Sequence, residues 1–150
     1  MSVIDDFEEI IKYAHYWNWV PDWELAKDIY NQFPDSYSIL TPFAYSYLEE
    51  IIRSTTSEYG KEFIGDDGKE KKRKVGIDLI NMAVSENRNN KEYNTILKEM
   101  KKYFEKSKST DSGNNRNSVD HGYLHPRFWN KKSFEELIYD ISKISKFAKF

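Results

Sequence analysis

The chain has 150 residues, with 23 Lys and Arg against 25 Asp and Glu, a formal net charge of −2 and no cysteine. That length suits one domain, residues 1–150, and the near-neutral charge excludes the long-range pull on nucleic acid of a strongly basic protein, so any RNA contact must be local. Disulfides and thiolate metal sites are excluded outright. The acidic start, Met1 to Glu9, lacks the basic and apolar pattern of a signal peptide, and no run approaches the ~20 apolar residues of a membrane span, so the expectation is a cytoplasmic protein that does not enter membranes.

With 11 Tyr, 9 Phe and 4 Trp, the interior is expected to be rich in rings. From Val3 to about Tyr16, apolar Val3, Phe7, Ile10, Ile11 and Ala14 recur at steps of three and four, with Asp5, Asp6, Glu8 and Glu9 early. This is an amphipathic helix with acids near the positive end of its dipole. The run Tyr13 to Trp23 ends it at or before Pro21. Its rings suit either a base-stacking platform or an aromatic plug at one end of a bundle, with His15 hydrogen-bonded and half-buried. The plug is the stronger reading.

Asp22 is placed to cap a second helix ending near Phe33, before Pro34, and Asp35 or Ser36 to cap a third. That third segment has the strongest helical stripe in the chain: Ile39, Leu40, Phe43, Ala44, Tyr47, Leu48, Ile51 and Ile52. Pro42 means that it either starts late or bends. Glu49, Glu50 and Arg53 read as a solvated face with a Glu49–Arg53 pair. Tyr59 to Lys74 is the main internal loop. Its Asp66-Asp67 lacks calcium-loop spacing, and its run Lys69 to Lys74 reads as a charged loop rather than a phosphate contact.

Val75, Ile77, Leu79, Ile80 and Ala83 mark a helix to about Glu86, and Asn87 to Asn90 break it. Tyr93, Ile96, Leu97, Met100, Tyr103 and Phe104 mark the next, coated with lysine on its other side. Ser107 to Asn115 is a polar loop. Ser133 is placed to cap a terminal helix carrying Phe134, Leu137, Ile138, Ile141, Ile144 and Phe147. No segment alternates with a period of two, so the fold class is all-α, a helical bundle of four main helices plus short helices.

The loop delivers the chain to Asn114-Asn115-Arg116-Asn117-Ser118-Val119-Asp120-His121-Gly122-Tyr123-Leu124-His125-Pro126-Arg127-Phe128-Trp129. No other stretch gathers arginine, histidine, carboxylate, amide and phenol with so little apolar content. On a helix Asn117 and His121 share a face, as do Arg116 and Asp120, and Arg116 comes round again at Tyr123. Arg116 and His121 lie about 140° apart. One regular helix does not bring them together; a distorted helix, a long reach, or a second copy would.

The spacing Arg116, four residues, His121, one residue, Tyr123, with polar Asn117 after the arginine and Gly122 after the histidine, resembles the motif of the HEPN superfamily. The form with tyrosine is similar to the toxin half of HEPN/MNT toxin–antitoxin pairs. The resemblance covers eight residues; the continuation His125-Pro126-Arg127-Phe128-Trp129 lies outside the general motif. It implies an antiparallel HEPN-like bundle and metal-independent cleavage of RNA without a cofactor. It further implies a homodimer whose cleft gathers the motif, with an antitoxin or other regulatory protein as a possible partner. Arg116, Asn117 and His121 are then catalytic, and Tyr123, Asp120, His125 and Arg127 bind substrate or serve regulation.

Three other readings compete. Arg116 and Asp120 form a surface ion pair while Tyr123, Phe128 and Trp129 pack in the core. His121 and His125 hold a metal, against which Pro126 pushes His125 out of helical conformation and no further ligand completes the set. Alternatively, the chain is a catalytically inactive HEPN-like module for binding or dimerisation; retention of both Arg116 and His121 favours the enzyme.

Overall fold

A computed structural model describes residues 2–60, 66–69, 72–104 and 130–150. Of these, 74% are helical and none is in a strand. Ser2 opens α1 (Val3–Tyr13) with a reciprocal cap: its hydroxyl oxygen accepts from the Asp5 amide, and its own amide donates to the Asp5 carboxylate at 2.9 Å. Two orphan amides are satisfied at once. The helix ends at Ala14, two residues before the expected boundary, because Ala14 turns extended while its amide still bonds back to Ile10.

The next helix, α2 (Val20–Gln32), begins earlier than expected, with Trp19 and not Asp22 at its cap. Pro21 falls in the first turn, where a missing N–H costs nothing. A 3-10 turn, Pro34–Ser36, leads into α3 (Tyr37–Ser54), which does not start late but holds Pro42 within it. Pro42 is the sixth residue of α3, so the one backbone bond that it removes is to the Ser38 carbonyl. Thr41 adds a bond on the adjacent turn, its hydroxyl donating to the Tyr37 carbonyl at 2.6 Å.

After the loop, α4 (Gly76–Glu86) starts at Gly76, whose φ of +59° carries the chain round from extended Val75. Left-handed backbone of this kind favours glycine. Asn90 caps α5 (Lys91–Met100), accepting from the Tyr93 amide, and α5 tightens into a 3-10 turn, Lys101–Phe104. Asn130 and not Ser133 caps α6 (Lys131–Ile144), its side-chain oxygen accepting from the Lys132 amide at 2.7 Å. The closing 3-10 turn is Ser145–Phe147.

Helices α3, α4, α5 and α6 close a ring of pairwise contacts, while α1 packs on α6 and carries α2 on its outer side. Leu48 and Ile51 of α3, Leu79 and Ile80 of α4, Leu97 of α5, and Ile138 and Ile141 of α6 fill the centre with no exposed surface. Each such side chain contributes about 1.5–3 kcal/mol of burial. Of the rings expected to plug one end, Trp19 and Trp23 pack against α3. Trp23 is 1% exposed, its ring 4.9 Å from Phe43 and 5.0 Å from Tyr47, and Trp19 lies 4.8 Å from Tyr47. Tyr16 and Trp17 instead face solvent.

Candidate functional site

Arg116, Asn117, Asp120, His121, Tyr123, His125 and Arg127 all lie within 105–129, outside the described residues. The described residues fix where the chain enters and leaves that interval. It enters from the 3-10 turn at Phe104, which is buried, and leaves at the Asn130 cap of α6. The last turn before the interval and the helix after it are joined by a buried polar cluster.

At the centre of that cluster is Asp140, 5% exposed on α6. The Tyr103 hydroxyl and the Lys102 ammonium donate to its Oδ2, the latter at 2.9 Å, and the Lys143 ammonium to its Oδ1 at 3.0 Å. Burial pushes the carboxyl up, but the hydrogen bonds from Tyr103, Lys102 and Lys143 outweigh it and hold Asp140 below the usual carboxylate range. Burial and the facing carboxylate together push the Tyr103 phenol upward. Lys143 loses by burial and gains more from Asp140, so its net shift is upward. With both Asp140 oxygens occupied by donors, the carboxylate acts as a fixed anionic anchor rather than a proton carrier.

Two residues after Asp140, Ser142 of α6 faces Asp6 of α1, which is 4% exposed, with the hydroxyl 3.2 Å from Oδ1. Ser142 has one hydrogen and a nearer acceptor, the Tyr139 carbonyl at 2.6 Å. Asp6 therefore receives weak support, and burial raises its carboxyl above the ordinary value despite Ser142. Beside Ser142 a groove opens, lined by Glu9 of α1, Glu92 and Ile96 of α5, Tyr139 and Lys143 of α6, and Lys146.

Arg53 and Glu58 form a second buried polar group. The Arg53 Nη2 donates to the Lys74 carbonyl at 2.9 Å, and the Lys74 amide donates to Glu58 Oε1 at 3.3 Å. One backbone unit before α4 is thus held by a cation on its carbonyl and an anion on its amide. Arg53 is 9% exposed and lies 3.8 Å from Glu50, so it is a buried clamp and not the solvated partner of Glu49 that the spacing suggested.

His15 is half-buried and hydrogen-bonded, as expected. Its Nδ1 accepts from the Trp17 and Asn18 amides, both at 3.3 Å, so its proton sits on Nε2, and its ring stacks on Tyr16 at 5.0 Å. Here the imidazole ties a turn. The exposed Asp67 carboxylate accepts from the Lys69 amide, closing a local turn.

The anchors Asp6 and Asp140 were not singled out from the sequence, yet a signal was there. Asp6 stands three after Val3 and four before Ile10, and Asp140 three after Leu137 and four before Ile144, so each acid interrupts an apolar stripe from within. Among the described residues no group of three or more histidines and carboxylates is placed to hold a metal ion, and no helix is long and apolar enough to cross a membrane. No protein-family profile, curated protein or solved structure matches the chain.

Proposed function

We propose that this chain is a metal-independent RNA endonuclease of the HEPN kind, a homodimer serving as a toxin or defence effector under the control of an antitoxin or other regulatory protein. The observation that carries the reading is the spacing of Arg116, Asn117, His121 and Tyr123 in a chain whose described residues form helices and no strand.

The chemistry asks little of a protein. In RNA the 2′-hydroxyl already lies beside the phosphorus, so cleavage requires proton movement and stabilisation of charge on the phosphoryl oxygens. The 2′-oxygen attacks, the bond to the 5′-oxygen breaks, and that oxygen takes up a proton. His121 is the proton carrier, since a histidine's unperturbed pKa of about 6.5 lies near neutrality. Arg116 offers a planar, permanently charged fork to the phosphate. Asn117, on the His121 face, fixes the imidazole or bonds the substrate. Tyr123 stacks or donates beside Arg116, with Asp120, His125 and Arg127 around the strand.

The test is the chemistry of the product ends. A mixed RNA pool incubated in excess chelator should yield 2′,3′-cyclic phosphate and 5′-hydroxyl termini, and an oligonucleotide with deoxyribose at the cleaved positions should stay intact. Cleavage of the deoxyribose strand, or activity only on addition of a divalent metal, removes the proposed mechanism. An RNA pool bound but left whole reduces the chain to a binding module.

A further inference from the structure

Charge is shared unevenly among the helices. α1 carries Asp5, Asp6, Glu8 and Glu9 against Lys12, and α2 carries Asp22, Glu24 and Asp28 against Lys27. α5 with its 3-10 turn reverses the balance: Lys91, Lys98, Lys101 and Lys102 against Glu92 and Glu99. Both glutamates are engaged by the C-terminal segment, Glu92 with the Lys146 ammonium of the closing 3-10 turn and Glu99 with that of Lys143 on α6 at 3.5 Å. The acids of this segment are thereby neutralised, and Lys102 is itself drawn to Asp140 of α6, which leaves Lys91, Lys98 and Lys101.

Those lysines are aligned. Lys91 and Lys98 are seven residues apart, which brings them to within about 20° of one face and about 10 Å along the axis. Lys101 follows three residues on, in the 3-10 turn. Lys91, Lys98 and Lys102 are exposed and Lys101 is half-exposed. Among the described residues no carboxylate lies within ion-pair distance of the Lys91, Lys98 or Lys101 ammonium. A row of mobile ammonium groups with no acid of its own matches a chain of phosphates, and its attraction depends on salt rather than on base sequence.

We propose that the lysine face of α5 is a track for the sugar–phosphate backbone of RNA. This rests on reading the chain as one that acts on RNA, and it identifies a contact surface made of residues other than those of the Arg116–His121 segment. A near-neutral protein needs such a local surface, because its overall field does not collect the strand.

The experiment uses the full chain with His121→Ala as background, so that bound RNA stays whole, and a fluorescently labelled single-stranded RNA titrated across a salt series. Lys91→Gln/Lys98→Gln/Lys101→Gln should weaken binding about tenfold and lower the salt slope by about 2, since each contact with a single strand contributes about 0.7. The charge-matched set Lys12→Gln/Lys27→Gln/Lys69→Gln should change neither, with circular dichroism confirming that both sets fold. The track is overturned if the α5 set binds as tightly as its background at every salt concentration, or if the control set weakens binding as much. A chain without the His121 substitution that leaves RNA whole, while binding still depends on the α5 set, sinks the nuclease reading alone. Cleavage whose KM and salt dependence ignore the α5 set sinks the track alone.

Discussion

The Tyr103 hydroxyl donates to Asp140 across 37 residues of sequence, joining the turn before residue 105 to the helix after residue 129. Together with Lys102 and Lys143 it keeps a buried carboxylate ionised. The two flanks of the interval that holds Arg116 and His121 are therefore held to each other by charge as well as by apolar packing.

Asp140→Asn should destabilise the fold, because Tyr103 and the two ammonium groups lose their anion. Hydrogen bonds to charged groups of this kind contribute roughly 2 kcal/mol. For a chain of this length that is a fall in Tm of about 4–8 °C. The pH dependence has a fixed sign. Asp140 is held below 3.8, the ordinary value, so its stabilisation is present above that pH and is lost as pH falls through the lower folded-state value. Thermal melts between pH 7 and pH 2 should show the parent's advantage over Asp140→Asn vanish only at the acid end.

Asp6 should behave oppositely. Its carboxyl is raised above 3.8 by burial, so its contribution is fully present below that pH and is lost as pH rises through the folded-state value. Asp6→Asn removes a poorly supported buried anion and supplies an amide that can donate to the Ser142 oxygen. Its Tm should exceed the parent's at pH 7, by an amount equivalent to about 1 kcal/mol, and the gap should close towards pH 4. A lower Tm at neutral pH would show that the Asp6 anion is well satisfied.

The tyrosines report on the alkaline limb. Burial pushes Tyr93 up to about 12, and Tyr30, Tyr47 and Tyr103 are raised as well, all first by burial. Their contribution is fully present below the ordinary tyrosine value of 10 and is lost as pH rises through the folded values. Ultraviolet titration should show these phenols silent through the ordinary tyrosine range near 10 while the chain stays folded. Tyr47 differs in detail, since its buried hydroxyl has no hydrogen-bond partner among the described residues. Tyr47→Phe should leave stability unchanged or raise it by up to about 1 kcal/mol, where deletion of a satisfied hydroxyl would lower it.

Much of the fold was readable because each apolar stripe had a period of three to four, and a stripe such as Leu48, Ile51, Ile52 can be buried only on a helix. Ends were harder to place. Asp22 and Ser133 look like caps, yet Trp19 and Asn130 serve, because tertiary contacts of the Trp19 ring and the Asn130 amide geometry settle boundaries that intrinsic preference leaves open. Arg53 illustrates a different limit. Its spacing to Glu49 suggested a surface pair, whereas its partner is the backbone of Lys74, 21 residues away, and no local pattern encodes that distance. The candidate site was legible only as spacing. In our proposal, which groups Arg116 and His121 meet depends on a strand of RNA and on a second copy of the chain.

The central claim is tested most directly by RNA cleavage in excess chelator, comparing the parent with Arg116→Ala and His121→Ala. Both variants should fold as the parent does, because the segment from Arg116 to Tyr123 has a single aliphatic residue, Val119, and truncating its polar members removes little burial. Each should lose cleavage by at least roughly 10²- to 10⁴-fold, the usual size of a general acid–base contribution. Folded variants that cut as fast as the parent would contradict the account.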